Sequence, residues 1–308
     1  MVPWKNEPYE TFPADLSAPE GMHTLSCDRT MLTVQYYNDV EYAVKNGLPL
    51  HLQLLLPFRV TDPKEIFPLA VYVQGSAWMR QQCHGNLPAL AAFAARGFAV
   101  AVVEYRHSSA APFPAQVQDA KTAIRFLRRH AEEYRIDPER IALWGDSSGG
   151  HTALIAGFTG DERLPGDTEE SYALYEETSA GVKSIVDYYG PTDLSEMNNY
   201  LSTMDHQSPL SPEGMVLGKV PVLEHPDRVK AANPVTYLKA GIPPLLILHG
   251  NKDRLVPFSQ SVLLYEAMRR MDLPAEFYRL DLADHGGPEF WAPAALDLVE
   301  TFLRRAFG

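Results

Sequence analysis

A serine set between two glycines is the feature of this chain best suited to chemistry. The pattern Gly145-x-Ser147-x-Gly149 follows an apolar run, Ile141 to Trp144, and precedes a run of small residues that favours a helix. In a nucleophile elbow, a sharp turn between a strand and a helix exposes a reactive serine in this way. Glycines flank the serine because the backbone is crowded there. The pattern therefore predicts Ser147 as the nucleophile of a serine hydrolase, with helix N–H groups directed at the site.

A serine hydroxyl needs a positioned base near neutral pH, and the downstream sequence offers one. Asp253 follows one predicted strand, and His285 follows the last predicted strand. Ligands bind beyond the carboxyl ends of strands in open α/β sheets, and the chain order serine, acid, histidine is found in such folds. We expect Ser147 to attack an acyl carbon, His285 to carry the proton and Asp253 to orient His285. Asp281 and Asp284 are the alternative acids.

The negative charge that develops on an ester oxygen needs hydrogen-bond donors. One predicted donor is the N–H of Ser148, the residue after the nucleophile. Others are expected in the loop after the strand Leu69–Val73, which reads Gln-Gly-Ser-Ala-Trp. Small residues let backbone N–H groups approach a substrate oxygen, so we predict Gly75 and Ser76 as donors. Trp78 ends the same loop and is predicted to wall the substrate pocket, with core packing as the alternative.

The elements that must position these residues alternate along the chain. Two early strands joined by Lys45-Asn46-Gly47 predict a hairpin, and apolar strands then alternate with amphipathic helices. This alternation predicts an α/β fold, a mostly parallel central sheet with helices on both faces. The predicted strands are Val34–Val44, Leu50–Leu56, Leu69–Val73, Ala99–Val103, Ile141–Trp144, Val182–Val186, Leu245–Leu248 and Glu276–Leu280. We expect one domain over 1–308, with an irregular arm over 1–30 and a lid or insertion over about 190–232.

Composition limits the classes of function. The chain has 308 residues, of which 45% are hydrophobic and 21% are charged, and its formal net charge is −12. This charge argues against a nucleic-acid partner and against binding to an anionic membrane. No apolar run approaches the length of a membrane-spanning helix. Cys27 and Cys83 form no disulfide framework, and the first residues lack a secretory signal pattern, so we expect a cytoplasmic location.

We expect neither a metal nor another cofactor. His84 lies beside Cys83, but no second pair of ligands has the spacing that zinc needs. No glycine-rich phosphate loop of the Walker type is present in the sequence. His151, which follows the elbow, is expected on a helix face, and the sequence indicates no oligomeric state.

Taken together, these residues resemble the α/β-hydrolase superfamily, and within it the hormone-sensitive-lipase-like and feruloyl or acetyl-xylan esterase branches. The resemblance is densest between Pro114 and His151. Other motifs that carry it are Glu104-Tyr-Arg, Asn233-Pro-Val, His249-Gly-Asn-Lys-Asp253 and His285-Gly-Gly-Pro. Those esterases usually carry His-Gly-Gly-Gly-Trp in the oxyanion loop, where this chain has Gln-Gly-Ser-Ala-Trp. The side chains of Ser76 and Ala77 are expected to narrow the space beside the oxyanion hole, which disfavours bulky tertiary-alcohol esters as substrates.

The resemblance implies a carboxylic-ester hydrolase that acts through an acyl-enzyme on short-chain acyl esters. Acetyl or feruloyl esters of plant-derived sugars are candidates, so the expected partner is a small-molecule or oligosaccharide ester. Two alternatives stay open. One is a dipeptidyl- or acylaminoacyl-type serine peptidase, which shares the fold and the triad. The other is a non-catalytic binding protein of the same fold, a class in which a triad member is often lost.

Overall fold

A sheet of apolar strands forms the centre of the molecule. The computed structural model describes residues 7–165 and 174–308. Its strands are β1 (Leu32–Lys45), β2 (Leu48–Arg59), β3 (Phe67–Val73), β4 (Ala99–Val103), β5 (Ile136–Asp146), β6 (Ser184–Tyr188), β7 (Leu245–Gly250) and β8 (Ala275–Leu280). They form one sheet in the order β1-β2-β4-β3-β5-β6-β7-β8. β2 runs antiparallel to β1 and β4, and the other pairs are parallel. The predicted fold class is therefore confirmed.

Helices cover both faces of the sheet because successive strand residues point to opposite sides. The helices are α1 (Leu87–Ala94), α2 (Ala115–Arg129), α3 (Ser148–Thr159), α4 (Pro212–Val216), α5 (Pro226–Ala231), α6 (Ser259–Arg270) and α7 (Pro293–Phe307). In β7, Leu245 and Ile247 pack with α3 and α6, whereas Leu246 and Leu248 pack with α7. All four side chains are buried. This two-sided burial explains why the strands read as continuous apolar runs.

The turn between β1 and β2 confirms the hairpin predicted from the sequence. Asn46 and Gly47 have φ values of 52° and 73°, the left-handed pair that a tight two-residue hairpin requires. The predicted arm lies partly outside the described residues, since 1–6 are not described. Residues 7–31 form neither helix nor strand. Among the described residues, no helix combines the length and apolar character needed to cross a membrane.

The segment between β6 and β7 includes residues 190–232, for which a lid or insertion is predicted and which we call the insertion. It holds α4, α5 and short 3-10 turns, of which Met197–Asn199 is the first. Buried apolar residues of this segment, with Val216 and Val222 among them, pack together around Trp78. The segment therefore has a small core of its own, and Trp78 ties that core to the loop after β3.

Candidate active site

The turn that carries Ser147 has the geometry of a nucleophile elbow. β5 ends at Asp146, α3 begins at Ser148, and Ser147 between them has φ 51° and ψ −127°. A Cβ on Gly145 would lie 2.3 Å from the carbonyl oxygen of Gly149. A Cβ on Gly149 would lie 2.0 Å from a backbone oxygen of β3. Both glycines are thus required by close backbone approach, and the strained serine is held at the carboxyl edge of the sheet.

The structure brings the three predicted catalytic side chains together in one chain of hydrogen bonds. His285 Nε2 lies 2.9 Å from Ser147 Oγ, and His285 Nδ1 lies 2.7 Å from Asp253 Oδ2. An ionised carboxylate can only accept, so Nδ1 carries the proton and Nε2 is free to accept from the serine hydroxyl. The His285 ring also contacts the edge of Tyr189, with ring centroids 4.7 Å apart. The imidazole is therefore oriented as a base toward Ser147.

Asp253 is held ionised by a full set of donors. Its side chain is inaccessible to solvent. Oδ1 accepts from the N–H groups of Leu255 and Val256, both at 2.9 Å. Burial acts to raise the pKa of Asp253, but hydrogen bonds from His249 and His285 outweigh it and hold the pKa below its usual value. The acid can therefore stabilise a cationic His285 without taking its proton.

His249 is a polar neighbour of the acid that the sequence reasoning missed as a site residue. It is fully buried at the end of β7. Its Nε2 lies 3.1 Å from Asp253 Oδ2 and 3.1 Å from the carbonyl oxygen of Val256, so this nitrogen is the donor. Its Nδ1 lies 2.8 Å from Ser261 Oγ. The available signal was the four-residue spacing between His249, at the end of a strand, and Asp253 in the loop that follows it.

The two alternative acids are engaged elsewhere. Asp281 accepts from Arg279 Nε at 2.7 Å. Asp284 accepts from Arg254 Nε at 2.6 Å and from the backbone N–H of His285 at 2.8 Å. Neither carboxylate has a hydrogen bond to the His285 ring in the described part of the chain. The geometry therefore favours Asp253 as the partner of the ring.

The oxyanion loop departs from the prediction at two positions. The N–H of Gly75 donates to Asp146 Oδ1 at 2.8 Å, and the N–H of Ser76 donates to Ser148 Oγ at 2.9 Å. Both predicted loop donors are thus engaged with side chains of the elbow. Within the described ranges, the N–H groups of Ala77 and Ser148 have no protein acceptor, and both residues line the cavity beside Ser147. The N–H groups of Ala77 and Ser148 are accordingly available as donors to a substrate oxygen.

The reason for this departure is the conformation of the loop. Ala77 has φ 55° and Trp78 has φ 53°, values that L residues rarely adopt and that point to functional strain. Asp146 holds the start of the loop, and it also accepts from the Tyr72 hydroxyl at 2.6 Å. Sequence spacing alone identified the loop but could not show which of its N–H groups was already bonded.

Trp78 belongs both to the cavity wall and to the core. It lines the cavity, yet only 2% of its surface is exposed. Its Nε1 donates to His151 Nδ1 at 3.3 Å, and His151 Nε2 lies 2.6 Å from the carbonyl oxygen of Ala232. Burial lowers the pKa of His151 to about 4. His151 lies in α3, as expected, and is a neutral buried link between α3, the oxyanion loop and the insertion.

The cavity next to Ser147 has a volume of about 400 Å³. Its walls come from the oxyanion loop, the elbow, the loop that carries His285 and the insertion, which contributes His206 and Glu213. Sequence reasoning placed the insertion beside the site but identified neither of these two residues. The cavity is large enough for the acyl group of a small ester together with part of its alcohol.

The groups weighed for other chemistry lie apart from this cavity. Burial raises the pKa of the Cys83 thiol to about 12, so this cysteine is a poor nucleophile. In the part of the chain that the structure describes, no group of three or more His, Cys, Asp or Glu side chains could hold a metal ion.

Comparison with known proteins gives the family of the chain. A structure described as a truncated form of carbohydrate esterase from gut microbiota is 30% identical, covers 91% of this chain and 98% of its own, and superposes with a TM-score of 0.79. A bifunctional GH43-CE protein of Bacteroides eggerthii is 29% identical over 92% of this chain and 39% of its own, with a TM-score of 0.74.

A curated relative agrees with these structures. The probable carboxylic ester hydrolase LipM of Mycobacterium tuberculosis is 31% identical over 78% of this chain. The chain spans little more than half the length of the curated relatives it matches, 55% in the case of LipM. The family model described as BD-FAE matches residues 52–268, most of the chain. The chain therefore belongs to the BD-FAE family and has the α/β-hydrolase fold.

Proposed function

We propose that this protein is a serine carboxylic-ester hydrolase that acts through an acyl-enzyme on short-chain acyl esters. The observation that carries the proposal is the unbroken line of hydrogen bonds from Ser147 through His285 to Asp253, at 2.9 and 2.7 Å. Ser147 and His285 line a cavity whose volume suits a small molecule. A strained serine, an oriented base and an ionised acid are the parts that acyl transfer needs.

The first half of the proposed reaction forms the acyl-enzyme. Ser147 Oγ bonds to the ester carbon as His285 Nε2 takes the hydroxyl proton, and the carbonyl electron pair moves onto oxygen. The N–H groups of Ser148 and Ala77 donate to that oxygen, which is where charge develops in the transition state. The tetrahedral intermediate then collapses. The bond to the alcohol oxygen breaks, and His285 gives its proton to the departing alcohol.

The second half repeats these steps with water. His285 removes a proton from a water molecule whose oxygen attacks the acyl carbon, and the same donors hold the oxyanion. Collapse returns the proton to Ser147 and releases the carboxylic acid, so the enzyme is unchanged. Asp253 keeps its charge throughout, in agreement with the depressed pKa of this buried carboxyl.

The substrate class rests on two kinds of support. The structural neighbours named above are described as a carbohydrate esterase and a bifunctional GH43-CE protein. The cavity carries polar groups of the insertion beside the apolar wall of Trp78 and Trp291, which suits a polar alcohol joined to a small or aromatic acyl group. We therefore propose acetyl or feruloyl esters of plant-derived sugars as substrates.

A hydrolysis panel tests the proposal. Wild type and Ser147→Ala are compared on p-nitrophenyl acetate, butyrate and octanoate, on methyl ferulate and on acetylated xylo-oligosaccharide. An acyl p-nitroanilide tests the peptidase alternative. Labelling by a fluorophosphonate reports an activated serine independently of the substrate.

The expected result is hydrolysis that depends on Ser147, is strongest for short acyl chains or sugar esters, and is accompanied by labelling of wild type alone. Hydrolysis retained by a folded Ser147→Ala variant would refute the mechanism. A wild type that cleaves the anilide in preference to the esters would favour the peptidase. A folded wild type that is neither labelled nor active would favour the non-catalytic binding protein.

A further inference from the structure

His206 and Glu213 form a buried polar pair in the wall of the active-site cavity. Both residues come from the insertion, both line the cavity, and their exposed fractions are 2% and 3%. His206 Nδ1 lies 2.9 Å from Glu213 Oε1. Burying such a pair is costly, and none of the catalytic steps described above uses it. Its position suggests a role in binding rather than in folding alone.

The partners of His206 show that this side chain is fixed. Ser202 Oγ lies 2.8 Å from His206 Nε2, and the same hydroxyl lies 3.0 Å from the carbonyl oxygen of Leu255. An ionised carboxylate only accepts, so His206 Nδ1 carries a proton and donates to Glu213. The ring is thereby held between Ser202 and Glu213.

Glu213 retains an acceptor that no described part of the protein satisfies. Oε1 is bonded to His206, but Oε2 is buried and has no hydrogen-bond partner among the described residues. A buried carboxylate oxygen without a donor is costly, because it has lost water and gained nothing in exchange. Since Glu213 lines the cavity, the cavity is the direction from which a donor can come.

The burial of Oε2 decides which donor fits. A cationic group would have to give up its own hydration to reach this buried oxygen, which is costly. A neutral hydroxyl satisfies Oε2 without adding charge to a buried site. The rest of the nearby wall of the insertion includes Met204 and Pro212, which offer no carboxylate or amide acceptor.

We propose that Glu213, positioned by His206, accepts a hydrogen bond from a substrate hydroxyl and thereby selects hydroxyl-bearing esters over simple alkyl esters. The proposal rests on the proposed esterase function and names a specificity determinant within that site. The hydroxyl can belong to the alcohol, as in a partly acetylated sugar, or to the acyl group, as in a ferulate. The chemistry of recognition is the same for both, and the experiment separates them.

Two matched substrate pairs provide the test. The first is a mono-acetylated methyl xyloside and the same compound with its free hydroxyls O-methylated. The second is methyl ferulate and its phenol-methylated analogue. Each is assayed with wild type and Glu213→Gln, which keeps the size of the side chain but replaces one acceptor oxygen by an N–H donor. Glu224→Gln removes an exposed carboxylate of the same segment and serves as the control.

We expect wild type to prefer the hydroxyl-bearing member of at least one pair by about tenfold or more in kcat/KM, the size of effect expected for a hydrogen bond to a charged group. In Glu213→Gln that preference should fall to about twofold or less, mainly through KM. In the control Glu224→Gln, hydrolysis of p-nitrophenyl acetate should stay within about twofold of wild type. The pair that responds identifies the source of the hydroxyl.

Three results would overturn the inference. Wild type could hydrolyse both members of both pairs equally well, an outcome that does not depend on the folding of any variant. Glu213→Gln, checked by thermal unfolding, could retain the full preference, which would exclude Glu213 as the acceptor. It could also lose activity equally on all esters, which would indicate a structural role. Absence of serine-dependent hydrolysis of any ester, p-nitrophenyl acetate included, would instead overturn the proposed function.

Discussion

His249 and His285 donate to the same oxygen atom, Oδ2 of Asp253, at 3.1 and 2.7 Å. The two rings differ in exposure, because His249 is fully buried whereas the side chain of His285 is 14% exposed. The buried ring cannot reach a substrate in the cavity, so it can act only through the carboxylate. Its second contact, from Nδ1 to Ser261 Oγ, anchors it to α6. His249 thus has the geometry of a positioning residue for the catalytic acid.

Replacement of His249 by phenylalanine should lower kcat by about 10- to 100-fold while KM changes little. The substitution removes the donor to Asp253 but keeps an aromatic ring in the buried space, so the carboxylate loses one of the bonds that orient it. Small errors in the alignment of reacting groups lower the reaction rate by factors of up to about 100. Steady-state kinetics on p-nitrophenyl acetate would measure the change.

Two further variants show whether the effect comes from the hydrogen bond. His249→Gln retains an N–H donor and should recover part of the lost kcat, whereas Ser261→Ala, which weakens only the far anchor, should cost less than His249→Phe. A phenylalanine variant with wild-type kcat would show that the second imidazole is dispensable.

Replacement of Asp253 by asparagine should reduce kcat roughly 10³- to 10⁴-fold, because an amide can donate to His285 and so favour the wrong tautomer of the ring. The matched control is Asp284→Asn. Asp284 precedes His285 in the chain and accepts from its backbone N–H, but its side chain is paired with Arg254. The control should retain at least about a third of wild-type kcat. The reverse order of the two losses would make Asp284 the acid.

Some features of the fold and of the site could be predicted from the sequence, and others could not. Local sequence patterns predicted the strands, the elbow and the catalytic residues. These patterns were the apolar runs, the glycine spacing at the elbow and the order of Ser147, Asp253 and His285. The hydrogen bond from the Gly75 N–H to Asp146 could not be predicted from the sequence. It depends on how closely the loop after β3 approaches β5, and a fold-level argument does not set that distance.

The residues whose buried surroundings were not predicted from the sequence share one physical property. His151, His206, Glu213 and His249 are polar but buried, and their hydrogen-bond partners lie from 4 to 81 positions away in the chain. His151, for example, bonds to the backbone of Ala232, which is 81 positions away in the chain. From the sequence alone, a polar residue is predicted to be exposed to solvent unless it belongs to a recognisable motif. Only the three-dimensional packing shows that these four are interior.

Substitution of Gly149 by alanine should prevent correct assembly of the elbow. The added Cβ would lie 2.0 Å from the carbonyl oxygen of Val73 and 2.8 Å from a backbone carbon of Gln74. The strand β3, which ends at Val73, cannot move cheaply because it is central in the sheet, so we expect a loss of about 3 kcal/mol or more in the free energy of unfolding. Thermal unfolding and the yield of soluble protein would measure it.

The control for this change is Gly85→Ala. A Cβ there would have its nearest neighbours at 3.5 and 3.7 Å, which is ordinary contact distance. This variant should unfold within about 0.5 kcal/mol of wild type, as surface substitutions usually do. If Gly149→Ala were as stable as the control, the crowding at the elbow would not be what requires glycine.

Asp187 should make stability fall as pH rises toward neutrality. It is fully buried at the end of β6. Burial, aided by the nearby charge of Asp146, raises its pKa from 3.8 to about 7. Between about pH 4 and 7 the unfolded chain releases this proton while the folded chain keeps it, so the folded state loses stability across that window and the effect is complete above it.

Asp187→Asn removes this titration while keeping an oxygen for the N–H of Gly190, which donates to Asp187 Oδ1 at 3.0 Å. Relative to wild type, the variant should gain roughly 2 to 4 kcal/mol between pH 4 and pH 8, since one pKa unit corresponds to about 1.4 kcal/mol. Thermal unfolding followed by circular dichroism at several pH values would measure the gain. The exposed Asp227→Asn should give a curve parallel to that of wild type. A parallel curve for Asp187→Asn as well would mean that this carboxyl ionises in the folded protein as readily as in the unfolded chain.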